Sequence, residues 1–368
     1  MKTKMVFLLI AMMVMGNGFC QQSNVILTAP DILSVFSDPR GISLGNSGVA
    51  SEADVFSMYY NPAKYAFIKD TTSFGLSYVP MVTFNSNFVS LAYAQKLGKI
   101  STIAASIRYF NLGETTFYDD ESGELETYHP HENVLDIAYS ARLTDYLSLA
   151  AAARFIYSSL GPASGKTIAG DVGVYYQHPL TLGQREAQYS WGVSITNIGG
   201  KMRYSEYSKG DFISTKLRVG GSFKTELAKE HTLTAMVDFS KLLVPTPPSY
   251  SYDPITGEYV IEAGLSDDVS VFQGMLQSFY DAPQGFSEEM QEIVWSLGLE
   301  YAWKEKWFGR VGYYHESQYK GNRKFFSLGV GANFKRFGVD VSYLINANGM
   351  PGTNPLNNTL SFGFRYGF

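Results

Sequence analysis

Gly41-Ile42-Ser43-Leu44-Gly45 has the spacing of a nucleophile elbow, the turn that exposes a serine for acyl transfer. That chemistry needs a buried strand leading into the serine, and Ser37-Asp38-Pro39-Arg40 stands there instead, so Ser43 is read as non-catalytic. The five histidines are scattered; only His129 and His131 are close, and they lack the helical spacing and third ligand of a zinc site. Asp119, Asp120, Glu121, Glu124 and Glu126 surround Gly123 without the register of a calcium-binding loop and read as a solvated loop. No glycine-rich phosphate cradle follows a strand and opens a helix. No catalytic residue, metal site or cofactor is assigned.

The remaining charged residues take their meaning from the elements that carry them. Between Asn358 and Phe368, Leu360, Phe362, Phe364, Tyr366 and Phe368 share one face, against Ser361, Gly363, Arg365 and Gly367 on the other. This period of two is a β-strand with one apolar and one polar face. Trp295, Leu297, Leu299, Tyr301 and Trp303 oppose Ser296, Gly298, Glu300 and Lys304 in the same way, and Phe326, Leu328, Val330 and Phe334 oppose Ser327, Gly329, Gly331 and Asn333. Apolar-out, polar-in alternation closing on an aromatic residue fits a transmembrane β-barrel. Its inward set contains Arg108, Asp136, Arg154, Arg218, Asp238, Glu300, Asp340 and Arg365, expected to form a mutually paired network that fills the lumen.

Fourteen segments alternate: 71–80, 86–97, 100–110, 132–142, 145–159, 167–178, 187–198, 214–225, 231–243, 293–304, 307–319, 323–335, 337–346 and 358–368. The fold class is therefore all-β, a 14-stranded antiparallel barrel with both chain ends at one mouth. Connections after even strands are short, as in Leu97-Gly98-Lys99, Leu143-Thr144, Glu305-Lys306 and Arg336. Those after odd strands are long: Asn111–His131, Lys201–Ile213, Val244–Glu292 and Ala347–Asn357. Two depart from this asymmetry: Lys320-Gly321-Asn322 is short, and Pro179–Glu186 is longer than a turn.

Composition agrees. In 368 residues, 26 Tyr, 25 Phe and 35 Gly accompany only 17% charged residues, which suits aromatic girdles at two membrane interfaces. A net charge of −5 without a basic run excludes a nucleic-acid partner. Lys2 and Lys4 followed by apolar Met5–Met15, with small residues at Gly18 and Cys20, predict a signal peptide over 1–20 cleaved before Gln21. Lipidation of Cys20 is the alternative, opposed by Phe19. After cleavage no cysteine remains, so disulfides are excluded. No other stretch is apolar and long enough for a transmembrane helix.

Two regions are not strands. Residues 21–70 form a periplasmic N-terminal segment, rich in Gly, Ser, Ala and Asp over 24–68, that fits the lumen as a hatch or plug. The barrel then occupies 71–368, interrupted by an extracellular excursion at 244–292. Within that excursion Asp267–Ala282 is a candidate helix with Val271, Met275, Leu276 and Phe279 on one face. It is read as a partner contact or as a cap over the barrel mouth.

Pro39-Arg40-Gly41, Gly45-Asn46-Ser47-Gly48-Val49-Ala50 and Asn61-Pro62-Ala63-Lys64-Tyr65-Ala66-Phe67 resemble the start of the PorV family, outer-membrane proteins of the type IX secretion system related in fold to the FadL fatty-acid transporters. Asn-Pro-Ala is shared with the wider FadL-like group; the longer run is specific. Arg108–Glu114, Ser266–Phe272, Phe279–Pro283, His315-Glu316-Ser317, Lys320–Lys324 and Asn354–Leu360 extend the resemblance over the mature chain. Ser361 departs from it, where an arginine is expected.

The resemblance implies a bacterial outer-membrane barrel with an N-terminal hatch, in contact with outer-membrane lipid, and a non-enzymatic shuttle. Such a shuttle binds the C-terminal signal domains of cargo leaving the SprA/Sov translocon and passes them to an attachment complex containing the PorU sortase. Val271, Phe272, Met275, Leu276 and Phe279 are the candidate partner-binding residues, and Asn61, Pro62, Ala63, Lys64 and Tyr65 the hatch motif. The alternative function is a FadL-type transporter of fatty acids or other hydrophobic molecules, which needs an apolar lumen and a lateral opening; a purely structural barrel is a third reading.

Overall fold

The computed structural model describes residues 25–81, 85–119, 123–347 and 358–368. The expected signal segment 1–20, Asp120, Glu121 and most of the 347–357 connection lie outside the described residues.

Fourteen strands close a barrel: β1 (Thr72–Met81), β2 (Ser86–Leu97), β3 (Ser101–Asn111), β6 (His131–Arg142), β7 (Leu147–Ser159), β8 (Ser164–Leu182), β9 (Arg185–Gly199), β10 (Lys216–Ala228), β11 (His231–Leu242), β14 (Val294–Trp303), β15 (Trp307–His315), β16 (Lys324–Phe334), β17 (Phe337–Asn346) and β18 (Leu360–Gly367). Sequence neighbours in this set pair antiparallel, and β18 pairs with β1 from Ser73↔Gly367 to Tyr78↔Phe362. The Phe368 carbonyl accepts from the N–H groups of Thr71 (2.8 Å) and Thr72 (3.0 Å), so both ends of the barrel chain meet at one mouth. Closure pairs the backbone of every wall strand, the condition for crossing hydrocarbon. The predicted alternation carries through: Leu297, Leu299, Tyr301 and Trp303 point outward and are exposed, whereas Ser296 and Glu300 are buried inside. So wide an exposed apolar band requires lipid rather than water as its solvent.

Two connections differ from expectation. Strands β8 and β9 continue through Pro179↔Gln188 to Leu182↔Arg185, so Pro179–Glu186 reduces to a two-residue turn. The described part of the acidic stretch, Asp119 and Glu124 to Glu126, lies on a hairpin, β4 (Thr115–Asp119) with β5 (Glu124–Tyr128). A second hairpin, β12 (Ser249–Asp253) with β13 (Glu258–Ala263), opens the long excursion. The candidate helix Asp267–Ala282 shortens to Val271–Gln277, and a second helix, Phe286–Gln291, follows. Gly285, at φ +68°, makes the turn between them.

Inside the wall, the N-terminal segment fills the lumen with short helices at Asp31–Leu33, Pro39–Ser43, Ser57–Tyr59 and Pro62–Phe67. One apolar cluster joins Ile32, Phe36 and Ile42 to Phe88, Tyr314 and Phe325; another joins Val55, Met58 and Tyr65 to alanines of β2, β3 and β6.

Candidate functional site

The hatch motif is an anchor built from its own sequence. Asn61 caps the Pro62–Phe67 helix, its Oδ1 accepting from the Ala63 N–H at 3.0 Å, and Pro62 needs no donor at the first helical position. The Asn61 amide donates to the carbonyl of Val174 on β8 at 2.8 Å. It can approach that closely because Gly173 lacks a side chain: a Cβ there would lie 2.3 Å from Asn61 Oδ1. The Ala63 carbonyl accepts from Ser140 (3.0 Å) and Ser148 (2.7 Å) of the wall. Tyr65 donates from its hydroxyl to Val55 O at 2.8 Å. Lys64 is fully buried and donates to Gly48 O (2.7 Å) and Ser51 Oγ (2.9 Å); burial holds its ammonium down at about 8.

The Gly41–Gly45 pentapeptide is a second contact with the wall. Ser43 donates to the Arg40 carbonyl at 2.7 Å inside the short Pro39–Ser43 helix. A Cβ on Gly312 of β15 would sit 2.0 Å from Gly45 N, so the inward glycine is the seat for the hatch backbone.

The inward charges pair with one another and with the hatch. Arg40 bridges Glu300 (3.1 Å) and Asp54 (2.9 Å), Arg310 bridges Glu300 (2.6 Å) and Asp340 (2.7 Å), and Arg365 joins Asp340 at 2.9 Å. A second group links Arg108 to Asp136 at 3.1 Å, and Arg154 to Asp136 and to Asp171 (2.9 Å). Two predicted members fall outside the network. Asp238 accepts instead from the backbone N–H groups of Gly48 (2.7 Å) and Val49 (2.9 Å), because the hatch reaches it first. Arg218 stacks over the Tyr60 ring at 5.4 Å and makes no ion pair among the described residues. Arg40 and Arg310 are members that the pattern missed. Arg310 alternates inward and could have been found; Arg40 lies on a helix whose position only the tertiary fold defines.

At the mouth opposite the chain ends, the excursion folds into a cap whose polarity is inverted. Phe272, Leu276 and Phe279 are 72%, 70% and 51% exposed, and Tyr280, Phe286 and Met290 are also exposed. Gly274, Gln277 and Ser278 face the barrel. Val271 and Met275 are half-buried, so the five candidate residues do not form one uniform face. A Cβ on Gly274 would meet Pro245 at 2.9 Å. The second helix supplies a buried latch: Lys241 of β11 holds Glu289 (2.9 Å) and Glu292, and Lys320 holds Glu288 (2.5 Å) and Glu292 (2.9 Å). Thr246 donates to Glu292 at 2.6 Å, and its N–H to Asp281 at 3.2 Å. Burial pushes the Asp281 carboxyl up to about 6, with Glu289 and Glu292 adding to the push.

The lumen offers no apolar tunnel among the described residues. A cavity of ≈ 260 Å³ near the chain-end mouth is lined by Arg40, Glu52, Asp54, Lys69, Lys224 and Glu305 among others. The apolar depression, ≈ 660 Å³, is lined by outward residues including Leu233, Leu299, Val311 and Leu328 on the lipid-facing wall. No group of three or more His, Cys, Asp or Glu among the described residues could hold a metal; His129 lies 3.9 Å from Glu114 in an exposed loop.

Residues 19–249 match the family described as type IX secretion system protein PorV. The chain belongs to the PorV family. No curated protein matches it. Solved structures similar to this PorV-family barrel include the TodX deltaS2S3 mutant, a monoaromatic hydrocarbon channel, at 9% identity and TM-score 0.51, covering 90% of this chain and 99% of that one. The Pseudomonas putida toluene transporter TodX follows at 8% identity and TM-score 0.50, covering 91% and 99%. A Pseudomonas aeruginosa FadL homologue matches at 10% identity and TM-score 0.44, covering 94% and 100%. The shared property is the FadL-like barrel fold. A fourteen-stranded barrel of this family resides in the outer membrane and serves type IX secretion, and the PorV and FadL-like families are non-enzymatic.

Proposed function

We propose that this PorV-family barrel is a shuttle: it binds the C-terminal signal domains of cargo leaving the SprA/Sov translocon and delivers them to the attachment complex containing the PorU sortase. In this reading residues 1–20 are removed on export, 21–70 form the hatch, the chain-end mouth faces the periplasm and the cap at 244–292 faces outward. The observation that carries it is the inverted polarity of the cap. Phe272 and Leu276 stand exposed on the first cap helix and Phe279 just past its end, while Gly274, Gln277 and Ser278 on the other side are buried, a state that a partner surface relieves. Apolar contact without covalent chemistry gives reversible capture, and handover follows from a higher affinity for cargo at the next station. The FadL-type alternative has less support, because the lumen is filled by the hatch and its cavities are polar.

The test is capture of a purified cargo C-terminal domain by the detergent-solubilised barrel. Phe272→Ser, Leu276→Ser and Phe279→Ser together are expected to lower capture at least tenfold with the barrel intact. Unchanged capture overturns the reading.

A further inference from the structure

One small cavity stands out by its charge. It encloses ≈ 20 Å³ between the hatch (Leu33, Met58, Tyr59) and the wall, and four of its lining residues are basic: Arg108, Arg154, Lys216 and Arg218. No carboxylate lines it. Arg108 and Arg154 are balanced by Asp136 and Asp171. The Lys216 and Arg218 side chains make no hydrogen bond or ion pair with any described residue, the guanidinium's stacking over Tyr60 leaves its charge unbalanced, and the Arg218 Nε is buried without a partner. The carboxylates whose fields reach these two cations are committed elsewhere: Asp238 to the N–H groups of Gly48 and Val49, and Glu316 to the Arg323 guanidinium at 2.7 Å.

Two like charges two residues apart on one strand, facing one small cavity, repel each other, and withdrawing either from water without a counter-charge is costly. A water molecule would fit but would not neutralise them. We propose that a monatomic halide, chloride under ordinary conditions, occupies this cavity and bridges Lys216 and Arg218 of strand β10. So small a cavity favours a monatomic anion over sulfate, phosphate or an organic carboxylate. The site is independent of cargo handling.

Two measurements test it. In crystals of the full barrel grown with bromide, an anomalous peak is expected between Lys216 and Arg218; its absence overturns the proposal. In detergent at constant ionic strength, with gluconate replaced stepwise by chloride, the unfolding temperature should climb with the logarithm of chloride concentration. Arg218→Met and Lys216→Met should flatten that slope. Arg218→Met should also exceed the wild type in gluconate, where its unpaired charge is gone, and fall below it in high chloride. A flat wild-type slope, or equal slopes in all three proteins, overturns the site. If a variant fails to form the barrel, the bromide map of the wild type decides.

Discussion

The hatch and the cap are both segments of a few dozen residues outside the barrel wall, yet they bury opposite things. In the hatch, Met58, Ala63 and Tyr65 are fully buried, and the Asn61 and Lys64 polar atoms find backbone partners. In the cap, the carboxylates of Glu288, Glu289 and Glu292 are buried while Phe272, Leu276 and Phe286 face out. The hatch satisfies its polar atoms with its own backbone and with the wall. The cap is fixed by charge so that its apolar residues stay available. Ion pairs suit that task because they position a segment without using its hydrophobic surface.

The contrast can be broken from the hatch side first. Asp136→Ala leaves two buried guanidiniums, Arg108 and Arg154, short of a partner, and should cost ~4 kcal/mol in denaturant unfolding of the detergent-solubilised barrel. Gly312→Val drives a side chain into the Gly45 backbone and should cost ~3 kcal/mol by the same measurement. Asn61→Ala removes the cap of the Pro62–Phe67 helix and the bond to Val174, for ~2 kcal/mol. A cost near zero for Gly312→Val or Asn61→Ala would mean that the hatch does not depend on the wall, and one near zero for Asp136→Ala that the wall does not need its inward ion pairs.

The cap should respond to pH instead. Docking raises the Asp281 carboxyl from 3.8 to about 6, so its contribution to docking is fully present below 3.8 and is lost as pH rises through about 6. Limited proteolysis of residues 264–293 should therefore be slower at pH ~5 than at pH ~7.5, and Asp281→Asn should erase the difference. The smallest effect on folding belongs to Phe272→Ser, Leu276→Ser and Phe279→Ser, each within ~0.5 kcal/mol of the wild type because the residues are exposed. A large loss of stability there would show that the cap, like the hatch, buries its apolar residues.

The barrel was legible because period two is a local property: all fourteen expected segments coincide with wall strands, with small shifts at their ends. Inward glycines such as Gly298 and Gly329 were visible as gaps in the polar face, but that they seat the hatch at Leu44 and Ser43 depends on residues far away in sequence. The hairpins at 115–128 and 249–263 were missed because their exposed strands have no buried face to impose alternation. In the cap, the apolar positions at 271–279 were visible, but not which way they point. Amphipathicity gives a direction only if the apolar face is assumed to seek the core, and the latch of Lys241 and Lys320 reverses that assumption.

The reach of Arg40 sets an order of assembly. Its partner Glu300 lies 260 residues later, and the Gly45 N–H meets Ser327 282 residues later. Loop closure over such separations is slow, and these bonds cannot form until β14 and β16 have been laid down. The N-terminal hatch is thus among the last segments to settle, and until then Glu300 has Arg310 alone as its counter-charge.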